Sequence, residues 1–196
     1  MVDDQLLVER AKGGDAQAFR DLVERSRQNV YRLAYNLTGN RLDAEDLSQD
    51  VFIKAYRSLP KFRGDAKWST WLYRITVNTC MDHGRTKAGK KMESSFNQEE
   101  TQAEYEVERS RDAVSPDRKA ESAIIQEQIE SAMNALTEQE RSVFVLRHYH
   151  DFSLKQIAET LEIAEGTVKA YLFRAVRRLQ EKLSFYRNDL GLREQL

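Results

Sequence analysis

Residues 153–183, SLKQIAETLEIAEGTVKAYLFRAVRRLQEKL, read as two helices meeting at a tight turn. Ser153 followed by Gln156 three positions later is a capping box, each side chain satisfying the other's backbone N–H at a helix start. Ile157, Ala158 and Leu161 follow at helical spacing. The run breaks at Glu162-Ile163-Ala164 and resumes as a long helix from Glu165 to about Leu183. Ala158 is small where two helices must approach, and Ile163 and Val168 are apolar where they must lock together. This is the pattern of a helix-turn-helix. Glu162 stands in the turn where glycine is usual. Between residues 166 and 182, Lys169, Arg174, Arg177, Arg178 and Lys182 are opposed by Glu181 alone, and a cationic second helix suits the major groove of duplex DNA. The plainer reading is a helical hairpin with a solvated basic face.

Upstream, Thr137 and Glu140 form a second capping box before Val143, Phe144, Val145 and Leu146. Ser115-Pro116, a cap followed by proline in the first turn, predicts a helix to about Ala135 with Ile124, Ile125, Ile129 and Met133 toward the core. These elements define a carboxy-terminal domain over 115–196. From about residue 86 the periodicity fails, and 88–114 read as a flexible acidic linker.

The first 87 residues read as a second all-α domain. A short helix over 4–12 ends at Gly13-Gly14, and Asp15 caps a longer one to about Leu37, stopped by Thr38-Gly39-Asn40. Asp43 is the expected cap of a third helix, which Pro60 ends. Ser69 or Thr70 is the expected cap of a fourth. The fold class is therefore all-α: two small helical domains and a linker.

Composition narrows the function. The chain has 196 residues, 32% of them charged, with two prolines and eight glycines. No apolar run approaches the roughly 18–20 residues of a membrane span, and the acidic amino terminus lacks the pattern of a signal peptide. One cysteine, Cys80, excludes an internal disulfide and suits a reducing cytoplasm, where it reads as small packing. A net charge of −1 conceals a division: residues 1–91 carry 17 Lys and Arg against 12 Asp and Glu, whereas 92–120 carry 4 against 8. For binding a polyanion, distribution outweighs the total.

Residues 62–85, FRGDAKWSTWLYRITVNTCMDHGR, combine Arg63, Lys67, Arg74 and Arg85 with Phe62, Trp68, Trp71 and Tyr73. Cations for phosphates beside rings for unstacked bases are what single-stranded nucleic acid requires. Trp71 falls in the helical period and is expected inside. Trp68 lies beside the loop and is expected on the working surface.

The stretches DAEDLSQDVFIKAYRSLPKFRGDAKWSTWLYRITVN (43–78) and LTEQERSVFVLRHYHDFSLKQIAETLEIAEGTVKAYLFRA (136–175), in that order, resemble the extracytoplasmic-function sigma factors of bacteria. The resemblance implies that residues 1–87 bind core RNA polymerase and recognise and melt the minus-ten element, while 115–196 read the minus-thirty-five element. It implies that Asp46, Gln49, Asp50 and Ile53 or Lys54, one helical stripe, dock on the clamp helices of the polymerase β′ subunit, with the β subunit as a further partner. It implies that Phe62, Arg63, Gly64, Asp65, Lys67 and Trp68 capture a flipped base, with Arg74 and Asn78, and beyond them Arg85, along the strand. Gly166, Thr167, Lys169, Tyr171, Phe173, Arg174, Arg177 and Arg178 are the implied contacts to duplex promoter DNA. Ala170-Tyr171 stands where a serine–arginine pair is common, which alters base preference. Sigma factors of this kind are usually restrained by an anti-sigma factor, implied here as a partner. The resemblance implies no cofactor and no membrane contact.

An enzyme is disfavoured. His83, His148 and His150 neither pair with Cys80 at metal-ligand spacing nor accompany a phosphate-binding glycine loop, and Asp43, Glu45, Asp46 and Asp50 alternate faces. The rival reading is an autonomous helix-turn-helix regulator of duplex DNA, for which the 43–85 stretch has no evident use.

Overall fold

The computed structural model describes residues 3–94, 125 and 128–189, and the side chains of 88–94 and 185–189 lie outside the description. Every regular element among the described residues is helical. In chain order these are α1 (Asp4–Lys12), α2 (Ala16–Thr38), α3 (Arg41–Ser58), a 3₁₀ turn (Leu59–Lys61), α4 (Trp68–Ser94), α5 (128–134), α6 (Glu138–His148), α7 (Leu154–Leu161) and α8 (Glu165–Asp189).

The helix boundaries follow from local chemistry. Asp15 Oδ1 accepts from the backbone N–H of Gln17 at 2.9 Å and of Ala18 at 3.1 Å, opening α2. Arg10 clamps the other oxygen at 2.7 Å, and these donors hold the Asp15 carboxyl below its usual range. Gly39 ends α2 at φ 67°, a left-handed conformation that costs glycine little, with its N–H on the Tyr35 carbonyl at 2.8 Å. Asn40, not Asp43, caps α3: its Oδ1 accepts from Asp43 N at 3.0 Å. Asp43 instead lies in the first turn and takes the Lys87 ammonium at 2.8 Å, tying α3 to α4. Both capping boxes in the carboxy-terminal part form as expected.

Among the described residues, two apolar clusters form the core. One lies wholly within the amino-terminal part, uniting Leu7 and Val8 of α1, Leu22 and Val30 of α2, Val51 and Ala55 of α3, and Trp68 and Leu72 of α4. The other is shared: Leu33, Leu37, Leu47, Tyr73, Val77 and Cys80 pack with Val143, Leu146, Ile157 and Val168. Burying each aliphatic side chain of this size contributes about 1.5–3 kcal/mol, so the junction is a substantial one. Burial pushes the Cys80 thiol up to about 12, which leaves it an inert packing group.

Arg141 stitches the same junction. Its guanidinium donates to the Leu37 carbonyl at 2.9 Å, an unpaired carbonyl of the last turn of α2, and to the Met133 carbonyl at 2.6 Å. Several expectations differ from the outcome. α4 begins at Trp68, ahead of Ser69 and Thr70, and continues to Ser94, past residue 87. Ile125 and Ile129 are exposed, at 45% and 38%, while Met133 does pack against the core. Ile124, the Ser115-Pro116 start and the linker beyond residue 94 lie outside the described residues.

Candidate nucleic-acid and polymerase interfaces

The loop between the 3₁₀ turn and α4 is built on a three-ring platform. Phe62 and Trp71 lie 4.7 Å apart between centroids, Trp68 and Trp71 5.3 Å, and Phe62 and Trp68 6.4 Å. Trp68 is only 5% exposed, and its indole N–H donates to Ser26 Oγ at 3.0 Å. Phe62 is buried as well, and Trp71 is the half-buried member. The expected roles of the two tryptophans are therefore exchanged. The chain leaves the loop directly into α4, so the first helical residue points inward, toward α2.

What the loop exposes is polar. Arg63, Gly64, Asp65, Ala66 and Lys67 are solvent-exposed, Gly64 turns at φ 82°, and Arg63 Nε lies 3.3 Å from Asp65 Oδ2. This loop and the start of α1 line a hollow of about 600 Å³, with Asp3, Asp4, Gln5 and Glu9 on the far side. Sequence reasoning missed α1 as a wall, because no local pattern links residues 3–9 to 62–69.

On α3, Leu47, Val51 and Ala55 face the core, and Asp46, Gln49, Asp50, Ile53 and Lys54 are exposed, so the expected stripe exists as a surface. Ile53 is 48% exposed, with Tyr56 beside it at 57%. Lys54 reaches across to Thr79 Oγ1 at 3.1 Å.

On α8, Gly166, Lys169, Phe173 and Arg177 recur at helical spacing along one exposed face, and Phe173 is 69% exposed. Thr167 is half-buried beside them. Tyr171 packs on the shared core with the Arg174 guanidinium 4.8 Å from its ring centroid. Arg174 and Arg178 lie toward α6, where they flank the buried Glu140 carboxylate at 3.6 Å and 3.4 Å. Glu140 also closes the capping box of α6 through Thr137 N at 3.0 Å. These two arginines thus help fix α8 on α6 while their side chains remain about half exposed. The sequence hid this, since a capping-box glutamate is ordinarily solvated.

The stripe Arg74, Asn78 and Arg85 of α4 is turned toward the carboxy-terminal part. Arg74 Nη1 contacts Glu162 Oε1 at 2.9 Å, and Arg85 Nε lies 4.0 Å from Glu138 Oε2. Asn78 is exposed between them. His150, beyond the end of α6, meets Tyr73 edge-on at 5.3 Å. Burial, with Arg32 nearby, holds His150 below its ordinary pKa. Among the described residues no cluster of three or more His, Cys, Asp or Glu is placed to hold a metal ion.

These features define a two-part helical protein with a helix-turn-helix at one end and a polar loop over an aromatic platform at the other. The family comparisons place it further. The family described as Sigma-70 region 2 matches residues 22–89, and Sigma-70, region 4 matches 126–179. The chain is 33% identical to the RNA polymerase sigma-H factor of Pseudomonas aeruginosa, covering 92% of this chain and 93% of that protein. It is 34% identical to the ECF RNA polymerase sigma factor SigW of Bacillus subtilis, covering 90% and 94%. The fold is shared with the sigma factor RpoE of Bartonella quintana, solved with the anti-sigma factor NepR, at TM-score 0.64 and 23% identity over 86% of this chain and 98% of that one.

The chain belongs to the sigma-70 family, in its extracytoplasmic-function branch. It is an alternative sigma factor that binds core RNA polymerase and directs it to promoters. The region 2 match covers the stretch for which an autonomous regulator has no use.

Proposed function

We propose that initiation is divided along the chain: residues 1–87 hold core polymerase and the melted minus-ten strand, 88–114 connect, and 115–196 read the minus-thirty-five duplex. The observation that carries this reading is the pairing of two separate exposed surfaces on one small unit. The α3 stripe of Asp46, Gln49, Asp50 and Ile53 offers carboxylates and an apolar contact to a basic, partly apolar helical partner on β′. The loop of Arg63, Asp65 and Lys67 offers charge and hydrogen bonds beside a hollow of about 600 Å³, ample for one nucleobase. Unstacking a base costs a few kcal/mol, which edge hydrogen bonds and ring contact must return. Phe62 and Trp68 line the hollow and shape its floor, and Trp71 packs against both of them.

On α8 the face of Gly166, Lys169, Phe173 and Arg177 reads the duplex. Lys169 and Arg177 supply phosphate or guanine contacts, and Phe173 an apolar contact to a thymine methyl. The protein does this without a covalent step of its own and acts in the cytoplasm, where its polymerase is. A regulatory partner of the anti-sigma kind, as in the Bartonella complex, fits the exposed residues Ile129 and Tyr149 beside Tyr35 and Met133, which line a groove of about 280 Å³.

The test is promoter-directed transcription from a pool of fragments with purified core polymerase. Start sites that depend on the intact protein, and vanish with Asp46→Arg through loss of core binding, support the reading. Duplex binding without any core association would overturn it.

A further inference from the structure

Glu140 carries a charge that its cap does not need. A capping box asks only for a side-chain oxygen at the third helical position. Gln156 supplies one to α7 in the same geometry, accepting from Ser153 N at 2.8 Å. In α6 that place holds a carboxylate instead, and its side chain is only 3% exposed. A buried charge is costly unless it is paired, and here its partners are on α8. Arg174 Nε lies 3.6 Å from Oε1, and Arg178 Nη1 lies 3.4 Å from Oε2. Each arginine has a second restraint. The Arg174 guanidinium sits over the Tyr171 ring at 4.8 Å, and Arg178 Nη1 donates to the Ala135 carbonyl at 3.3 Å. Both side chains still keep about half their surface in solvent.

Phe173 and Arg177 belong to the face of α8 that meets the duplex in the reading above. Arg174 and Arg178 follow each of them by one residue, about 100° round the helix. A helix lying in the major groove has its centre over base edges and its flanks against the phosphate strands. We propose that Glu140 is a positioning residue for duplex recognition. From the α6 side it holds the Arg174 and Arg178 guanidinium groups in place, on one flank of the reading face, for two backbone phosphates. The inference rests on the reading of α8 as the duplex-binding helix. Coulomb's law alone argues against a carboxylate there, since it repels DNA. Ordering accounts for it. A free arginine loses rotamer freedom when it takes a phosphate, and that loss weakens binding unless folding has already imposed it. Tyr171, expected from the sequence to touch DNA, serves in this arrangement as the second wall of the Arg174 seat.

The experiment uses polymerase holoenzyme reconstituted with the full chain. Its targets are a promoter mapped by the transcription assay and the same promoter with its minus-thirty-five element scrambled. Glu140→Gln keeps the capping oxygen and removes the charge. It should bind the intact promoter about five- to tenfold more weakly, the loss expected when the ordering of two long side chains returns to the binding step. It should bind the scrambled promoter no more weakly than wild type does. Removal of a carboxylate that acts by charge alone would tighten both, and that result, or an unchanged ratio between the two, would overturn the proposal. In the background of Arg174→Ala with Arg178→Ala, adding Glu140→Gln should cause no further loss. A loss of the same size there would also overturn it, because Glu140 would then act by another route. The wild-type chain supplies a reading that needs no variant to fold. Relaxation of the arginine Nε–H signals by NMR should show Arg174 and Arg178 ordered before DNA is added, in contrast to the exposed Arg63. Equal mobility of all three would contradict the proposal. A wild-type holoenzyme indifferent to the minus-thirty-five sequence would instead fault the reading of α8 itself, and the inference would fall with it.

Discussion

The loop over 63–67 and the basic stripe of α4 are neighbours in sequence and opposite in circumstance. The loop stands open beside a hollow, its cations tied to nothing stronger than the exposed Arg63–Asp65 pair. The stripe runs beside another part of the chain: its first arginine is half-buried against Glu162, while Asn78 and Arg85 stay exposed. Two regions with the same composition of charge and rings thus differ in availability. The difference comes from the faces beside them. Tyr73, Val77 and Cys80, on the apolar side of α4, bury themselves against α6 and α7, and this carries Arg74 and Arg85 to the junction.

The strongest way to break the comparison is at its hidden floor. Trp68→Ala removes a buried ring and its bond to Ser26 and should cost about 3–5 kcal/mol in stability by chemical denaturation. A loss under about 1 kcal/mol would put Trp68 on the surface instead. Glu140→Ala comes next. It strips two arginines of a buried partner and opens the capping box of α6, with an expected loss of about 3 kcal/mol measured the same way.

Lys67→Ala should leave stability unchanged and weaken single-strand binding by polymerase holoenzyme severalfold, reducing the slope of log affinity against log salt by about 0.7. An unchanged slope would mean that Lys67 meets no phosphate.

The smallest effect sharpens the junction. His150 is held below its ordinary pKa by burial first and by Arg32, against the opposing pull of Asp151, and it packs on Tyr73. A base whose pKa is depressed in the packed state binds fewer protons there than when open. The packed form is therefore at full strength above about pH 6.5 and weakens as pH falls through that value and below. Scattering between pH 7.5 and 5.5 should show acid expansion that is diminished in His150→Gln.

Much of this fold was legible in the sequence because it is written locally. The capping boxes at Thr137 and Ser153, the Asp15 cap and the Gly39 stop each depend on residues within four positions, and all four formed. The helix-turn-helix followed from the same kind of signal. What was illegible depended on distant partners. Periodicity marks Tyr73 and Val77 as buried but does not name α6 and α7 as what buries them. Trp68 and Trp71 are three residues apart on one helix, and which of them faces α2 is decided by how the chain enters α4. Ile125 and Ile129 carried an apolar pattern that the described structure leaves in solvent. Glu162 was visible as a departure from glycine, yet its use became clear only with Arg74 beside it.

The central claim is that the exposed polar loop captures a melted strand while the buried rings only support it. Its most direct test places 2-aminopurine in the nontemplate strand of the minus-ten element and follows fluorescence as holoenzyme opens the promoter. The account predicts a rise with wild-type protein that is largely lost in the double variant Arg63→Ala, Lys67→Ala, although that variant folds and binds core normally. An undiminished rise in the double variant would contradict it.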